Sequence, residues 1–315
     1  MAAFDTKQAI CGEFKHPRQM LNDQTYDGHI SIHDEKMAED LGFSGAPIEG
    51  PTHFSQFVPL LVAVFGDDWL AHGCISSHYL NMVVEGEEVR AFVEVPKPGE
   101  NITNIWAEKR DGTPVLSGTA SIGPDYPESE LDRRRAKLRP SDQLVILADL
   151  HVGMKGKNEE HAVMDFDQNM GDLYPFSLNN KLKVITEMSP WYTEEQGSSS
   201  PWGQAIIPLE MISVLTQYSS RSASFPMRGP AVGLFADQEI KIINGPLLVN
   251  KNYRLEREIV TLSESRRVES CWIMTSVYDD ETNELVAECL LNSATLKDSY
   301  KQYAEDAAAL GKQLD

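Results

Sequence analysis

Cysteine is scarce. Cys11, Cys74, Cys271 and Cys289 lie far apart without paired spacing, which argues against a disulfide framework or a zinc site and for a reducing, cytoplasmic setting. Apolar runs are short, and none reaches the roughly eighteen residues of a membrane span. Met1 to Glu13 also lack the basic flank and apolar stretch of a secretion signal. Positive charge is in deficit, with 28 Lys and Arg against 48 Asp and Glu and a formal net charge of −20. A nucleic-acid binder carries a basic surface, so that class is disfavoured. One basic run stands out, Arg133, Arg134, Arg135, Lys137 and Arg139. It reads first as a solvated helix face or linker, and second as a contact for the phosphates of a nucleotide-tailed substrate. No Gly-x-Ser-x-Gly elbow, phosphate loop or dinucleotide fingerprint occurs, so no cofactor is indicated. The histidines lack metal-ligand spacing, so no metal is expected.

What remains is ordinary globular material, 41% hydrophobic and 24% charged over 315 residues, a length that suits two domains of middling size. An internal repeat supports that division. Gly45-Ala46-Pro47-Ile48-Glu49-Gly50-Pro51 precedes the apolar run Phe54 to Phe65, and Gly203-Gln204-Ala205-Ile206-Ile207-Pro208 precedes Met211 to Tyr218. Downstream, Asn81 to Gly86 matches Lys241 to Gly245, so the pairs Gly45/Gly203 and Gly86/Gly245 keep nearly the same spacing.

In each half a loop of small residues leads to an apolar helix, then to a strand with a glycine corner, then to long strands. The first half offers strands over Glu88–Val95, Ile102–Lys109 and Thr113–Ile122. The second offers Tyr253–Leu262, Arg267–Tyr278 and Leu285–Leu296. Arg90-Ala91-Phe92-Val93-Glu94-Val95 alternates as a half-buried antiparallel strand does, and Asp111-Gly112 is a hairpin turn. One helix followed by an antiparallel meander is α+β. The first helix, about four turns long, is apolar nearly all round at Phe57, Leu60, Leu61, Val62, Val64 and Phe65, as a helix buried on most sides must be. Pro59 should kink it or mark irregular first turns. The predicted organisation is a first module over 1–125, a linker over 126–174 with a helix near Glu128–Leu138, a second module over 175–298, and a tail over 299–315 forming a short exposed helix.

The segment Tyr26-Asp27-Gly28-His29-Ile30-Ser31-Ile32-His33-Asp34-Glu35-Lys36-Met37-Ala38-Glu39-Asp40-Leu41-Gly42-Phe43, with Gly45 to Gly50 after it, resembles the MaoC-like family of R-specific enoyl-CoA hydratases and acyl dehydratases. The likeness is best over residues 20–95. It implies a double hotdog fold, two antiparallel sheets each wrapped around a long central helix. It also implies hydration or dehydration of an α,β-unsaturated or 3-hydroxy acyl compound, in first place a CoA thioester, by a homodimer or a pseudo-dimeric monomer; the alternatives are an isomerase, cyclase or thioesterase of the same fold on a non-CoA substrate, or a non-catalytic acyl-binding protein. In that family a loop carries Asp, then Asn-Pro, an aliphatic residue and His. Asp27 matches the catalytic Asp. Alignment without gaps puts His29 at the Asn position and Ile32 at the His position, whereas a one-residue shift puts His33 there. Both registers stay open.

Adding water to a conjugated acyl group needs a base for the water and an acid for the α-carbon, with donors in place for the enolate oxygen. Asp27, with His29 or His33, would supply the first. Gly50 lets a substrate carbonyl approach the helix amides, and Pro51 suits a first helical turn. Each residue has a blander role. Asp27-Gly28 is a common turn pair, and His29 and His33 could be loop histidines. Glu49 and Thr52 at the helix mouth, His53 on its first turn, His78 on the following strand and Trp202 complete the candidate substrate-binding set. Glu49 could equally be a carboxylate satisfied at a helix N-terminus, His53 a packed core histidine, and His78 a residue facing solvent. The second module has Ile185, Thr186 and Glu187 where an Asp-x-His counterpart would fall. It offers Trp191, Tyr192 and Trp202 as packing or pocket wall.

Overall fold

The computed structural model describes residues 7–26, 29–40, 42–139, 141 and 143–314, with the backbone alone at Tyr26, His29 and Ile30. Short β1 (Ala9–Cys11), β2 (Thr25–Tyr26) and β3 (His29–Ile30) precede α1 (Glu35–Asp40). A 3-10 helix over Gly50–Phe57 runs into α2 (Val58–Phe65), and α3 (Trp69–His72) leads to β4 (Gly73–Tyr79), β5 (Val89–Glu94), β6 (Ile102–Lys109) and β7 (Pro114–Ile122). Then come α4 (Glu130–Arg135), β8 (Glu160–Ala162), α5 (Leu178–Leu182) and α6 (Leu209–Gln217). The chain closes with β9 (Gly233–Ile242), β10 (Tyr253–Glu264), β11 (Val268–Asp279), β12 (Leu285–Leu296) and α7 (Tyr303–Ala309). Among the described residues no helix is long and apolar enough to cross a membrane.

The modules do not each have a sheet of their own: among the described residues ten strands make one antiparallel sheet in the order β1-β5-β6-β7-β4-β9-β12-β11-β10-β8, and β2 and β3 pair apart from it. The halves meet where β4 pairs with β9, Ile75 opposite Ile240 and His78 opposite Asp237. Each of these strands would otherwise be an edge with unsatisfied N–H and C=O groups, and pairing satisfies both rows.

The first central helix is also not one long α-helix. Its 3-10 portion is buried from Pro51 to Phe57, whereas α2 buries only Val58 and Leu61 and leaves Pro59 and Ala63 exposed. Pro59 lacks an N–H and sits at the start of α2, where an unpaired N–H costs nothing, so the helix restarts around it. By contrast α6 is buried at every residue from Leu209 to Gln217. It packs against the 3-10 helix, so one apolar core runs through both halves, from Phe54, Phe57 and Ile75 to Met211, Leu215 and Ile240.

Backbone hydrogen bonds make the repeat explicit. Ile48 N donates to Val83 O at 2.7 Å, and Ile207 N to Leu247 O at 2.8 Å. Pro47 bridges Val84 as Ile206 bridges Leu248. The turn after each bridge ends in a left-handed residue, Gly86 (φ 93°) in one half and Asn250 (φ 63°) in the other. The counterpart of Gly86 is therefore Asn250, not Gly245. Asparagine is one of the few side-chain-bearing residues that accepts this conformation at low cost.

The tail helix α7 is short and largely exposed, as expected, but one face of it is docked. Tyr303 and Ala307 are buried with Ile146, Leu147 and Ile259. Glu269, fully buried, accepts the N–H groups of Val145, Ile146 and Leu147 at 2.8, 2.9 and 3.1 Å and the Tyr303 hydroxyl at 2.9 Å.

Candidate active site

A cavity of about 960 Å³ opens between the amide end of the first central helix and the second module. From the first half it is lined by Gln24, Ser31, His33, Glu49, Gly50, His53 and Tyr79. The second half adds Tyr174 and an apolar stretch that includes Phe225, Phe235, Ile273 and Leu291.

His33 follows the β2–β3 hairpin. Its N–H donates to Ser31 Oγ at 3.1 Å, and its Nδ1 lies 2.7 Å from Pro47 O. A carbonyl only accepts, so Nδ1 carries the proton and Nε2 keeps a lone pair. Burial lowers the His33 pKa to about 4, against the opposing pull of the Pro47 bond. The ring is thus neutral at physiological pH and fixed in one tautomer. Ile32, the other candidate for this position, packs with Val232 and Leu296 in an apolar cluster. Asp27 lies outside the described residues, as does the side chain of His29.

Gly50 opens the 3-10 helix, so its N–H has no intrahelical acceptor. The close approach that glycine permits is occupied here by the Tyr79 ring. A Cβ built on Gly50 would lie 2.6 and 2.7 Å from Tyr79 Cε1 and Cε2. In a 3-10 helix residues three apart eclipse, which stacks His53 beneath Gly50. His53 is only 2% exposed, and its Nδ1 has no hydrogen-bond partner among the described residues. Burial, reinforced by the charges of Lys181 and Lys109, lowers its pKa to about 4.

Glu49 precedes Gly50 on the cavity wall and accepts the Tyr174 hydroxyl at 2.9 Å. Burial raises its pKa to about 7. The Tyr174 bond and the Lys181 charge lower it, and Glu210 raises it. Lys181, itself buried, lies 3.4 Å from Glu210 Oε1 and donates to Thr52 Oγ1 at 3.5 Å. Thr52 therefore belongs to the buried charge cluster behind the cavity rather than to its wall. Glu210 is raised by burial, with Lys181 opposing.

Two further predicted site residues, besides Thr52, lie away from the cavity. Along β4 the side chains alternate, so Tyr79 faces the cavity and His78 the opposite side of the sheet. There His78 Nδ1 meets Asp237 Oδ1 at 2.7 Å, while Arg134 Nε lies 3.2 Å from the same oxygen. Asn292 Nδ2 donates to Asp237 Oδ2 at 2.7 Å. This group ties α4 to the β4–β9 seam. Trp202 packs edge-on against Trp191, ring centroids 6.0 Å apart, and does not line the cavity. The basic run is neither a solvated face nor a phosphate contact of the cavity at its helical end: Arg133 pairs with Glu130, Arg134 with buried Asp237, Arg135 donates to Thr261, and none of the five cations lines the cavity.

Tyr174 was not singled out in the sequence, because it sits in a segment that reads as linker. That segment closes the site from the side: Gln24 Nε2 donates to Leu173 O at 2.8 Å, and Thr25 N to Asp172 O at 3.0 Å. Among the described residues no group of three or more His, Cys, Asp or Glu side chains converges as metal ligands do.

No protein-family model matches the chain, and no curated protein matches it in sequence. Solved structures do match in fold. A protein from Chloroflexus aurantiacus J-10-fl described as a MaoC domain dehydratase aligns over 93% of this chain and 96% of its own, at 14% identity and a TM-score of 0.56. A conserved hypothetical protein from Mycobacterium tuberculosis, described as having a double hotdog fold, aligns over 93% and 97%, at 10% identity and a TM-score of 0.54. At these identities the likeness concerns architecture, and the architecture of this chain is the double hotdog.

Proposed function

We propose that this protein is a hydratase or dehydratase acting on an α,β-unsaturated or 3-hydroxy acyl compound, as a CoA-type thioester. The observation that carries the reading is the meeting in one cavity of a neutral imidazole with a fixed tautomer, His33, and the free amide end of a buried helix at Gly50.

In the hydration direction a water held by His33 Nε2 and the Asp27 carboxylate attacks the β-carbon, and His33 takes its proton. The carbonyl oxygen gains charge as the enolate forms, and the Gly50 N–H is its donor, with the favourable end of the helix dipole behind it. The apolar wall of Phe225, Phe235, Ile273 and Leu291 takes the acyl chain, and about 960 Å³ is ample for a ligand of that size.

The test is loss of the conjugated-thioester absorbance on adding enzyme to an enoyl-CoA. His33→Ala and Asp27→Asn are each expected to lower turnover by about 10²- to 10⁴-fold, with unchanged circular dichroism. Full activity in both variants would remove the proposal.

A further inference from the structure

Glu49 stands on the cavity wall one residue before the Gly50 amide, and the hydration chemistry above leaves it without a task. The charged and titratable groups facing it come from every surrounding element. Tyr174 comes from the loop before α5, Lys181 from α5, Glu210 from the first turn of α6 and Tyr79 from β4. His53 lies on its own helix, and His33, Arg221 and Arg228 line the same cavity. Tyr174 fixes one carboxylate oxygen at 2.9 Å. Lys181 directs its ammonium to Glu210 and Thr52. Its charge therefore tempers Glu49 from a distance. A carboxyl held near 7 by burial exists in both forms at neutral pH, which suits a group that must give and regain a proton in each cycle.

We infer that Glu49 is a catalytic acid–base residue serving the α-carbon of the substrate, with Tyr174 as its positioning residue. The inference rests on the hydration reading. As water oxygen bonds to the β-carbon, His33 Nε2 takes the water proton and the C=C electron pair moves toward the carbonyl. The Glu49 carboxylic acid then gives its proton to the α-carbon, forming the C–H bond and leaving a carboxylate. Solvent carries the proton from imidazolium back to carboxylate. In dehydration the carboxylate removes the α-proton, and imidazolium protonates the departing hydroxyl as water.

The experiment is enoyl-CoA hydration across pH with wild type, Glu49→Gln, Tyr174→Phe and His33→Ala, together with binding of a saturated acyl-CoA that cannot react. Glu49→Gln is nearly isosteric and still accepts the Tyr174 hydroxyl. It is expected to lose about 10²- to 10⁴-fold in turnover while binding the saturated ligand as wild type does. Wild-type hydration should fall as pH rises through about 7, where Glu49 loses its proton. Tyr174→Phe removes a donor that favours the carboxylate, so its fall should move to higher pH. If Glu49→Gln stays within about threefold of wild type with the same alkaline fall while His33→Ala is inactive, Glu49 has no acid–base role and the hydration reading stands. A Tyr174→Phe profile that does not move, or moves to lower pH, overturns the pairing of Tyr174 with Glu49. If wild type turns over no enoyl-CoA, or His33→Ala is fully active, the hydration reading falls and this inference with it.

Discussion

Replacing Gly50 by alanine adds one methyl group at the most crowded point of the site. The new carbon would sit 2.6 and 2.7 Å from two ring atoms of Tyr79, well inside van der Waals contact. That ring is not a flexible tip. It lies against Phe54, centroids 6.3 Å apart, and its hydroxyl donates to Gln238 Oε1 at 3.4 Å. Gln238 is in turn held by Ser213 at 2.8 Å. Either the ring swings or the helix start backs away. Overpacking of this kind costs about 1–3 kcal/mol of stability. Retreat of the helix start displaces the Gly50 N–H, and loss of one oxyanion donor costs about 10²- to 10³-fold in kcat. Urea denaturation measures the first effect, and enoyl-CoA turnover at saturating substrate the second. The double variant Gly50→Ala/Tyr79→Leu makes room for the methyl, so its stability should exceed the sum of the single effects. Unchanged stability and turnover in Gly50→Ala would refute both the contact and the proposed use of the amide.

Other consequences can be measured alongside. Glu269→Ala leaves three buried N–H groups and the Tyr303 hydroxyl without an acceptor. At about 1–3 kcal/mol per orphaned group, it should cost at least about 4 kcal/mol in urea unfolding, and a loss below about 1 kcal/mol would contradict the capture of that segment. Glu160→Ala strands Arg257, which now donates to both Glu160 oxygens at 2.8 and 2.9 Å with both side chains almost wholly buried. The expected loss is about 3–5 kcal/mol, and a variant as stable as wild type would show the charge is not stranded. His53, near 4 when folded, takes up a proton near 6.5 once unfolded. Its contribution is therefore complete above about pH 6.5 and declines as pH falls toward 4. His53→Gln should flatten that decline in the urea midpoint, and an equally steep decline would assign the acid sensitivity to other groups.

Much of the scaffold was legible because it follows local rules. Alternation located β5, and β6, β11 and β12 fall within a residue or two of the expected ends. Pro59 marked the restart of the first helix. The pairing of Gly86 with Gly245 misled because glycine identity is a weaker signal than the left-handed backbone itself, which Asn250 adopts in the second half. The expectation of two sheets failed because no local pattern tells an edge strand from one that finds a partner in the other half. In the site, His33, Glu49, Gly50 and His53 came together because a short loop and one helix mouth carry them all. His78 was undecidable from sequence, since strand alternation gives two faces without saying which is inner. Tyr174 was invisible, because its bond to Glu49 spans more than a third of the chain.

The seam between β4 and β9 has a consequence for how such a cavity can evolve. Two identical chains related by a dyad must build every cleft twice, and any change that reshapes one copy reshapes the other. Here both partners are spelled out separately in one polypeptide and welded through continuous backbone hydrogen bonds. One half is free to keep its short hairpin loop while the other fills its centre with a wholly buried helix, and dilution cannot part them.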